Sequence, residues 1–209
     1  MESYYGIGDS SAANYPAQIS GQAPALGVQA DCPVWTPSLA CRSRAVSSGP
    51  WRRVRLPAGR PDARQSAVRG RVQLGGLSAG HGQRSGLGQH GATARGPACG
   101  HPATWAIDRT QRAEPAGQYS VRHDGFAFFQ SVTGNQASCD AHILSFRPLA
   151  GDLAQARTTP AFSFIVSNLC DDGHDAPCVT GVRGGLEQAN AFLSRWGRCC
   201  VGRSRVAGD

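Results

Sequence analysis

Thr-Thr-Pro-Ala-Phe-Ser-Phe-Ile-Val-Ser-Asn-Leu-Cys-Asp-Asp-Gly-His-Asp, residues 158–175, decides how this chain is read. A short apolar run, residues 162–166, is opened by Pro160 and closed by Asn168. Aromatic and β-branched residues fill it and turn-formers bound it, so it predicts a buried strand. Directly behind it stand Asp171, Asp172, His174 and Asp175 around Gly173. A buried strand ending in clustered carboxylates and an imidazole is how an open α/β sheet presents chemistry at its carboxyl edge. The plainer alternative is a polar surface loop turned by its glycine. The strand in front and the flanking Cys170 and Cys178 favour the site.

Cys170 and Cys178 bracket the loop with seven residues between them. That separation suits a disulfide pinning the loop in an oxidising compartment, whereas zinc ligand pairs are spaced more closely. Two free thiols are the alternative if the chain stays in the cytoplasm. Of the other cysteines, Cys32, Cys99 and Cys139 lie in patterned sequence, and Cys41, Cys199 and Cys200 do not.

The middle of the chain is of another kind. Residues 42–95 hold 11 Arg, 10 Gly, 7 Ala, 6 Ser and 3 Pro, and nine large apolar residues in 54 positions. That is too little burial to offset a backbone ordering cost of roughly 1–2 kcal/mol per residue, so the segment is expected to be disordered. Asp62 is its one acid, which gives it 11 − 1 = +10, while the remainder carries 10 Arg against 13 acids, or −3, for a total of +7. The basic pI of 9.3 therefore belongs to the middle and is no argument for an acidic partner of the rest. The chain has no lysine. Arg, Gly, Ala and Pro are the products of G/C-rich codons, and out-of-frame reading of such DNA gives this composition. The functional rival is an Arg/Gly-rich segment that binds nucleic acid nonspecifically, with one aromatic, Trp51, available for stacking. Residues 197–209 read as a second departure and an unstructured tail.

Three separated motifs, in order, resemble one family. The first spans Tyr4-Tyr5-Gly6-Ile7-Gly8, Asn14-Tyr15, residues 19–24 and Gln29-Ala30-Asp31-Cys32-Pro33. The second is Gln118-Tyr119-Ser120-Val121-Arg122-His123, leading into Phe126-Ala127-Phe128-Phe129. The third is the opening stretch with Gly184-Gly185-Leu186 and residues 191–196. Together they resemble the bacterial phosphoesterases that include acid phosphatases and non-haemolytic phospholipases C, within the alkaline-phosphatase-like superfamily. The resemblance covers roughly residues 3–37 and 96–196. It implies an α/β fold, a mixed sheet flanked by helices, of which this chain holds an interrupted part: residues 1–41 and 96–196.

By that resemblance Ser11 is the nucleophile, placed near a helix N-terminus where backbone N–H groups and the helix dipole favour phosphate. Gly8, Asn14 and Tyr15 fit the same spacing, and Pro16 suits a first helical turn. Asp9 stands where the family has His, and Ala13 where it has a carboxylate. A Ser-rich helix cap is the alternative for Ser10 and Ser11. His123 and His174 are implied as phosphate contacts or acid catalysts, and Asn14, Asp172 and Asp175 as orienting groups. His123 taken alone, at the entrance of an aromatic strand over residues 126–129, reads as a structural donor.

The family also implies a divalent metal, held by acidic ligands on a strand beyond the helix of residues 184–196, and no counterpart of that strand follows here. Phosphate ester hydrolysis leans on metal ions, so the expectation is a phosphate-ester hydrolase of impaired activity, or a non-catalytic remnant. In that helix Leu186, Ala189, Leu193 and Trp196 draw an apolar stripe expected to pack on the sheet. Asp140 and His142, two apart on a supposed strand, are expected to stabilise a loop together. No run of 18 apolar residues exists, so no membrane span is expected. Family members are exported. No leader precedes Tyr4, which implies a cytoplasmic chain as written.

Overall fold

The computed structural model describes residues 3–37, the backbone of 74–78, 92–93 and 96–97, and residues 99–203 except 116, 147–148, 156–157 and 161, with side chains to 197. Among these residues the chain is mixed α/β, as expected. Its helices are α1 (Ser11–Ser20), α2 (Gln130–Thr133), α3 (Gln136–His142), α4 (Leu149–Asp152) and α5 (Gly185–Arg203). Its strands are β1 (Leu74–Ser78), β2 (Ala92–Thr93), β3 (Gly96–Pro97), β4 (Ile143–Ser145) and β5 (Phe162–Val166). Three of them form a parallel sheet in the order β4-β1-β5, with Gly76 opposite both Ile143 and Phe164.

The expected unordered segment is therefore interrupted. Leu74–Ser78 is the central strand, hydrogen-bonded on both sides. Composition over the whole segment hid a local Leu-Gly-Gly-Leu-Ser run whose backbone is satisfied by two neighbours. The rest of residues 42–95, apart from the two-residue β2, lies outside the described residues. At the other end α5 continues past Trp196 to Arg203, where an unstructured tail was expected.

α1 starts at Ser11 because Ser10 is extended (φ −93°, ψ 152°), and it stops at Gly21, whose left-handed φ of 67° lets its N–H reach the Ala17 carbonyl. It buries Ala12, Ala13, Pro16 and Ile19, one face at helical spacing. Pro16 is thus an interior residue of the helix and not part of its first turn.

Against that face pack two 3-10 turns, Val121–His123 and Gly125–Phe128, in place of the expected aromatic strand. Phe126 and Phe128 are both buried, and a short run buried on all sides has no period to tell strand from helix. Gly125 sets the fit. A Cβ there would lie 2.5 Å from Ile19 Cδ1 and 2.9 Å from the Tyr15 carbonyl oxygen, so the turn approaches α1 as closely as backbone allows. Tyr119 closes the turn from behind, donating its hydroxyl to the Gly100 carbonyl at 2.9 Å. The core is completed by Val28, Trp35, Val132 and Ile143, all buried, each burial of this size stabilising by about 1.5–3 kcal/mol.

β5 has the expected bounds but not the expected burial: Val166 alone is buried, and Phe162 is 43% exposed. Among the described residues it is an edge of the sheet, paired to β1 on one side. The stripe on α5 is rotated as well. Leu186 and Leu193 are exposed, while Phe192 and Trp196 pack against Phe146 at ring-centroid distances of 5.6 and 4.4 Å. Asp140 and His142 lie in α3 and bond to Gln136 and to the Ser138 carbonyl respectively, not to each other. No helix among the described residues is long and apolar enough to cross a membrane.

Candidate active site

Three segments distant in sequence meet at the start of α1. Ser11 is its first residue. His123 ends the 3-10 turn packed on α1, and Asp172 lies in the loop behind β5, at the carboxyl edge where the sequence placed it. His123 Nε2 is 3.1 Å from Ser11 Oγ, and His123 Nδ1 is 3.9 Å from Asp172 Oδ2. The His123 and Asp172 side chains are 6% and 9% exposed. The Tyr15 ring leans on His123 at 5.2 Å between centroids and touches Phe164 at 6.0 Å, so the sheet edge supports the imidazole through Tyr15.

Burial, assisted by the Arg122 guanidinium and then by His174, lowers the His123 pKa to about 3. The ring is neutral at physiological pH and can accept a proton. Burial also raises the pKa of Asp172, assisted by the neighbouring Asp175 and opposed by its hydrogen bond from the His174 N–H and by Arg122. Tyr15 is raised by burial and by Asp172, which keeps its phenol protonated.

Sequence reading missed the frame behind these groups. Arg122 Nε lies 3.3 Å from His123 Nε2, and its Nη1 donates to Gln111 Oε1 at 3.2 Å and stands 3.6 Å from Asp31 Oδ2. Gln111 Nε2 donates both to the Asp31 carbonyl and to Asp108 Oδ2. Asp31 Oδ1 in turn accepts from the Ala12 N–H at 2.8 Å. A carboxylate of the chain itself therefore serves the helix N-terminus where phosphate was expected. Asp31, Arg122 and Tyr15 all belong to the quoted motifs, and that membership was the available signal. Gln111 and Asp108 had none.

Asn14 is an orienting group of a structural kind. It accepts from the Ile7 N–H and donates to the Gly8 and Ser10 carbonyls, fixing the approach to Ser11. The structure does not bring His174 to Ser11: its side chain is 84% exposed, and its Nδ1 lies 3.1 Å from Asp175 Oδ1. Cys170 and Cys178 form the expected disulfide, which ties down both ends of this loop. Cys99 and Cys139 form a second one, 40 residues apart, whose pairing the sequence left open.

The residues described do not fit the divalent cation implied by the resemblance. No set of three carboxylates or imidazoles converges at Ser11, and the one gathering of three potential ligands among the described residues is Cys99, His101 and Cys139. There the two sulfurs are bonded to each other, so neither is the thiolate a metal requires. Searches for relatives matched the chain to no family model, no curated protein and no solved structure.

Proposed function

We propose that the chain is an ester hydrolase of the serine-nucleophile kind directed at phosphate esters, built as part of an alkaline-phosphatase-like domain. The observation that carries it is the 3.1 Å approach of Ser11 Oγ to a buried His123. Neutral imidazole takes the hydroxyl proton as Ser11 attacks phosphorus, giving a phosphoserine and releasing the alcohol. Arg122, which shares His123 Nε2 with Ser11, is the cation for the phosphoryl oxygens. Choice of phosphate rests on the three sequence motifs.

Two features make the turnover slow. A base held near pKa 3 has little driving force for proton transfer at neutral pH. The Asp31 carboxylate also repels an incoming phosphate from the helix N-terminus and competes for Arg122. Disulfides persist in oxidising compartments, which supports an exported location.

The test is a single-turnover one. Purified chain is mixed with 4-nitrophenyl phosphate, with and without added magnesium, manganese or zinc, quenched in acid and read by peptide mass spectrometry. One phosphoryl group on the Ser11 peptide, absent from Ser11→Ala, is expected, with little steady-state release. A chain that gains no phosphoryl group, or gains it equally as Ser11→Ala, overturns the reading.

A further inference from the structure

Away from Ser11, the Cys99–Cys139 disulfide has more gathered around it than a cross-link needs. Cys99, Gly100 and His101 are consecutive, and Cys139 lies in α3, which runs straight into β4. A ring nitrogen of His101 and the two sulfurs lie within 4.8 Å of one another. The Cys99–His101 segment is held by its backbone. The Cys99 N–H donates to the Ile143 carbonyl at 2.9 Å, and the Gly100 carbonyl accepts from the Tyr119 hydroxyl at 2.9 Å. Cys99 has a φ of 56°, a left-handed backbone that a residue with a Cβ rarely adopts and that persists where its surroundings over-determine it.

The imidazole is set as well. A carbonyl oxygen can only accept, so the 2.8 Å contact between His101 Nδ1 and the Pro102 carbonyl is an N–H donation. In the neutral ring the lone pair is then on Nε2. Stacking on the buried Trp35, at 4.3 Å between centroids and 21° between planes, fixes the ring. An imidazole that donates one N–H to a backbone carbonyl is the form in which histidine ligates a metal, with tautomer and orientation decided beforehand. A disulfide makes no use of such a ring. Two thiolates and one imidazole are a zinc ligand set, with the fourth tetrahedral position left to water.

We infer that Cys99, Cys139 and His101 form a redox-gated zinc site, closed as a disulfide in the oxidised chain and open to one zinc ion in the reduced chain. A dithiol supplies two electrons and two protons and closes to its own disulfide, while the bond between the Cys99 and Cys139 sulfurs breaks to give two thiols. Zinc then displaces both thiol protons and takes the His101 Nε2 lone pair. With bonds of about 2.3 Å to sulfur and 2.0–2.1 Å to nitrogen, tetrahedral angles put the three ligand atoms roughly 3.6–3.8 Å apart. The gathering within 4.8 Å is of that size. Zinc would therefore join the same two segments that the disulfide joins, so the cross-link survives a change of redox state. Reoxidation by another disulfide removes the two electrons, rejoins the sulfurs and releases the ion. Neither Ser11 nor the phosphate reading enters this inference.

Both cysteines are buried, so the full chain is reduced by a phosphine in urea and refolded under argon with cobalt(II), the spectroscopic stand-in for zinc. The reduced chain is expected to show the thiolate-to-cobalt charge-transfer band and the visible bands of tetrahedral cobalt, both bleached by one equivalent of zinc. The oxidised chain should show neither. The Cys99→Ser, Cys139→Ser variant should lose the bands and the Cys170→Ser, Cys178→Ser variant should keep them, which separates this site from the other thiols of the reduced chain. His101→Gln keeps both thiols and should weaken zinc by more than the roughly 10–100-fold that loss of an outer-shell partner costs. A reduced chain without cobalt bands, bands that survive loss of Cys99 and Cys139, or a zinc affinity unchanged in His101→Gln overturns the inference.

Discussion

The turn Val121–His123 and the loop behind β5 each carry a histidine next to an aspartate, and the fold treats them in opposite ways. His123 is 6% exposed and meets Ser11, whereas His174 is 84% exposed and meets its own neighbour Asp175. The turn is seated by apolar packing. Val121, Phe126 and Phe128 are buried, and Gly125 lets the backbone close on α1. The loop is seated by covalent and polar ties: the Cys170–Cys178 bond and the Asn168 side chain, which accepts from the Cys170 and Asp171 N–H groups. Packing removes a histidine from water and shifts its acidity; a tethered surface loop leaves it in water. Of the loop's acidic residues it is Asp172 that reaches inward to the turn.

The widest break between the two regions should come from removing the tether. A Cys170→Ser, Cys178→Ser variant loses a cross-link whose typical contribution is roughly 2–4 kcal/mol. Its urea midpoint is expected to fall, and Asp172 to leave His123, so that phosphoryl transfer to Ser11 changes while the turn keeps its aromatic packing. Near-ultraviolet circular dichroism should retain the aromatic signal in urea-free buffer. An unchanged midpoint would show that the polar ties alone hold the loop.

Acid should separate the regions by charge. The folded pKa of His123, about 3, lies below its ordinary value of 6.5. Between those values the unfolded chain binds the proton and the folded chain does not, so stability is complete above about pH 6.5 and is lost as pH falls toward 3. The slope is at most about 1.4 kcal/mol per pH unit. Asp172 works against it: its raised pKa makes the folded state the better proton acceptor, so its contribution improves as pH falls. Measured midpoints of unfolding for the chain and for His123→Gln should diverge less as pH falls below 6.5. Parallel curves from pH 7 to 4 would mean the ring is not held neutral.

Much of this comparison was legible before the fold was known, and its limits are physical. Period and boundary residues gave β5 and the helix at residue 185, because both are set locally. Burial was not, since it depends on partners: β5 is an edge among the described residues, and α5 turns Phe192 to the core in place of Leu193. The 3-10 turns escaped because a buried aromatic run carries no period. β1 escaped because its Leu-Gly-Gly-Leu-Ser sequence is stabilised by strands about 65 and 85 residues away in sequence. Ser11, His123 and Asp172 were readable as residues. Their convergence was not, since it is made by Gly125 and by Arg122 with its Asp31 and Gln111 partners.

The smallest expected effect sharpens the comparison most. Resemblance assigns His174 a role equal to that of His123, and the structure places it on the rim. His174→Ala should therefore change phosphoryl transfer to Ser11 by less than about threefold, and stability by no more than about 0.5 kcal/mol, as for an exposed side chain. The hydrogen bond that His174 contributes to Asp172 comes from its backbone N–H, which alanine keeps. His123→Gln in the same assays should lose about 10²–10⁴-fold. Equal losses from the two variants would mean that the loop swings inward when substrate arrives. In that event the exposed histidine would be part of the working site, and the contrast between packed turn and tethered loop would hold for the free chain alone.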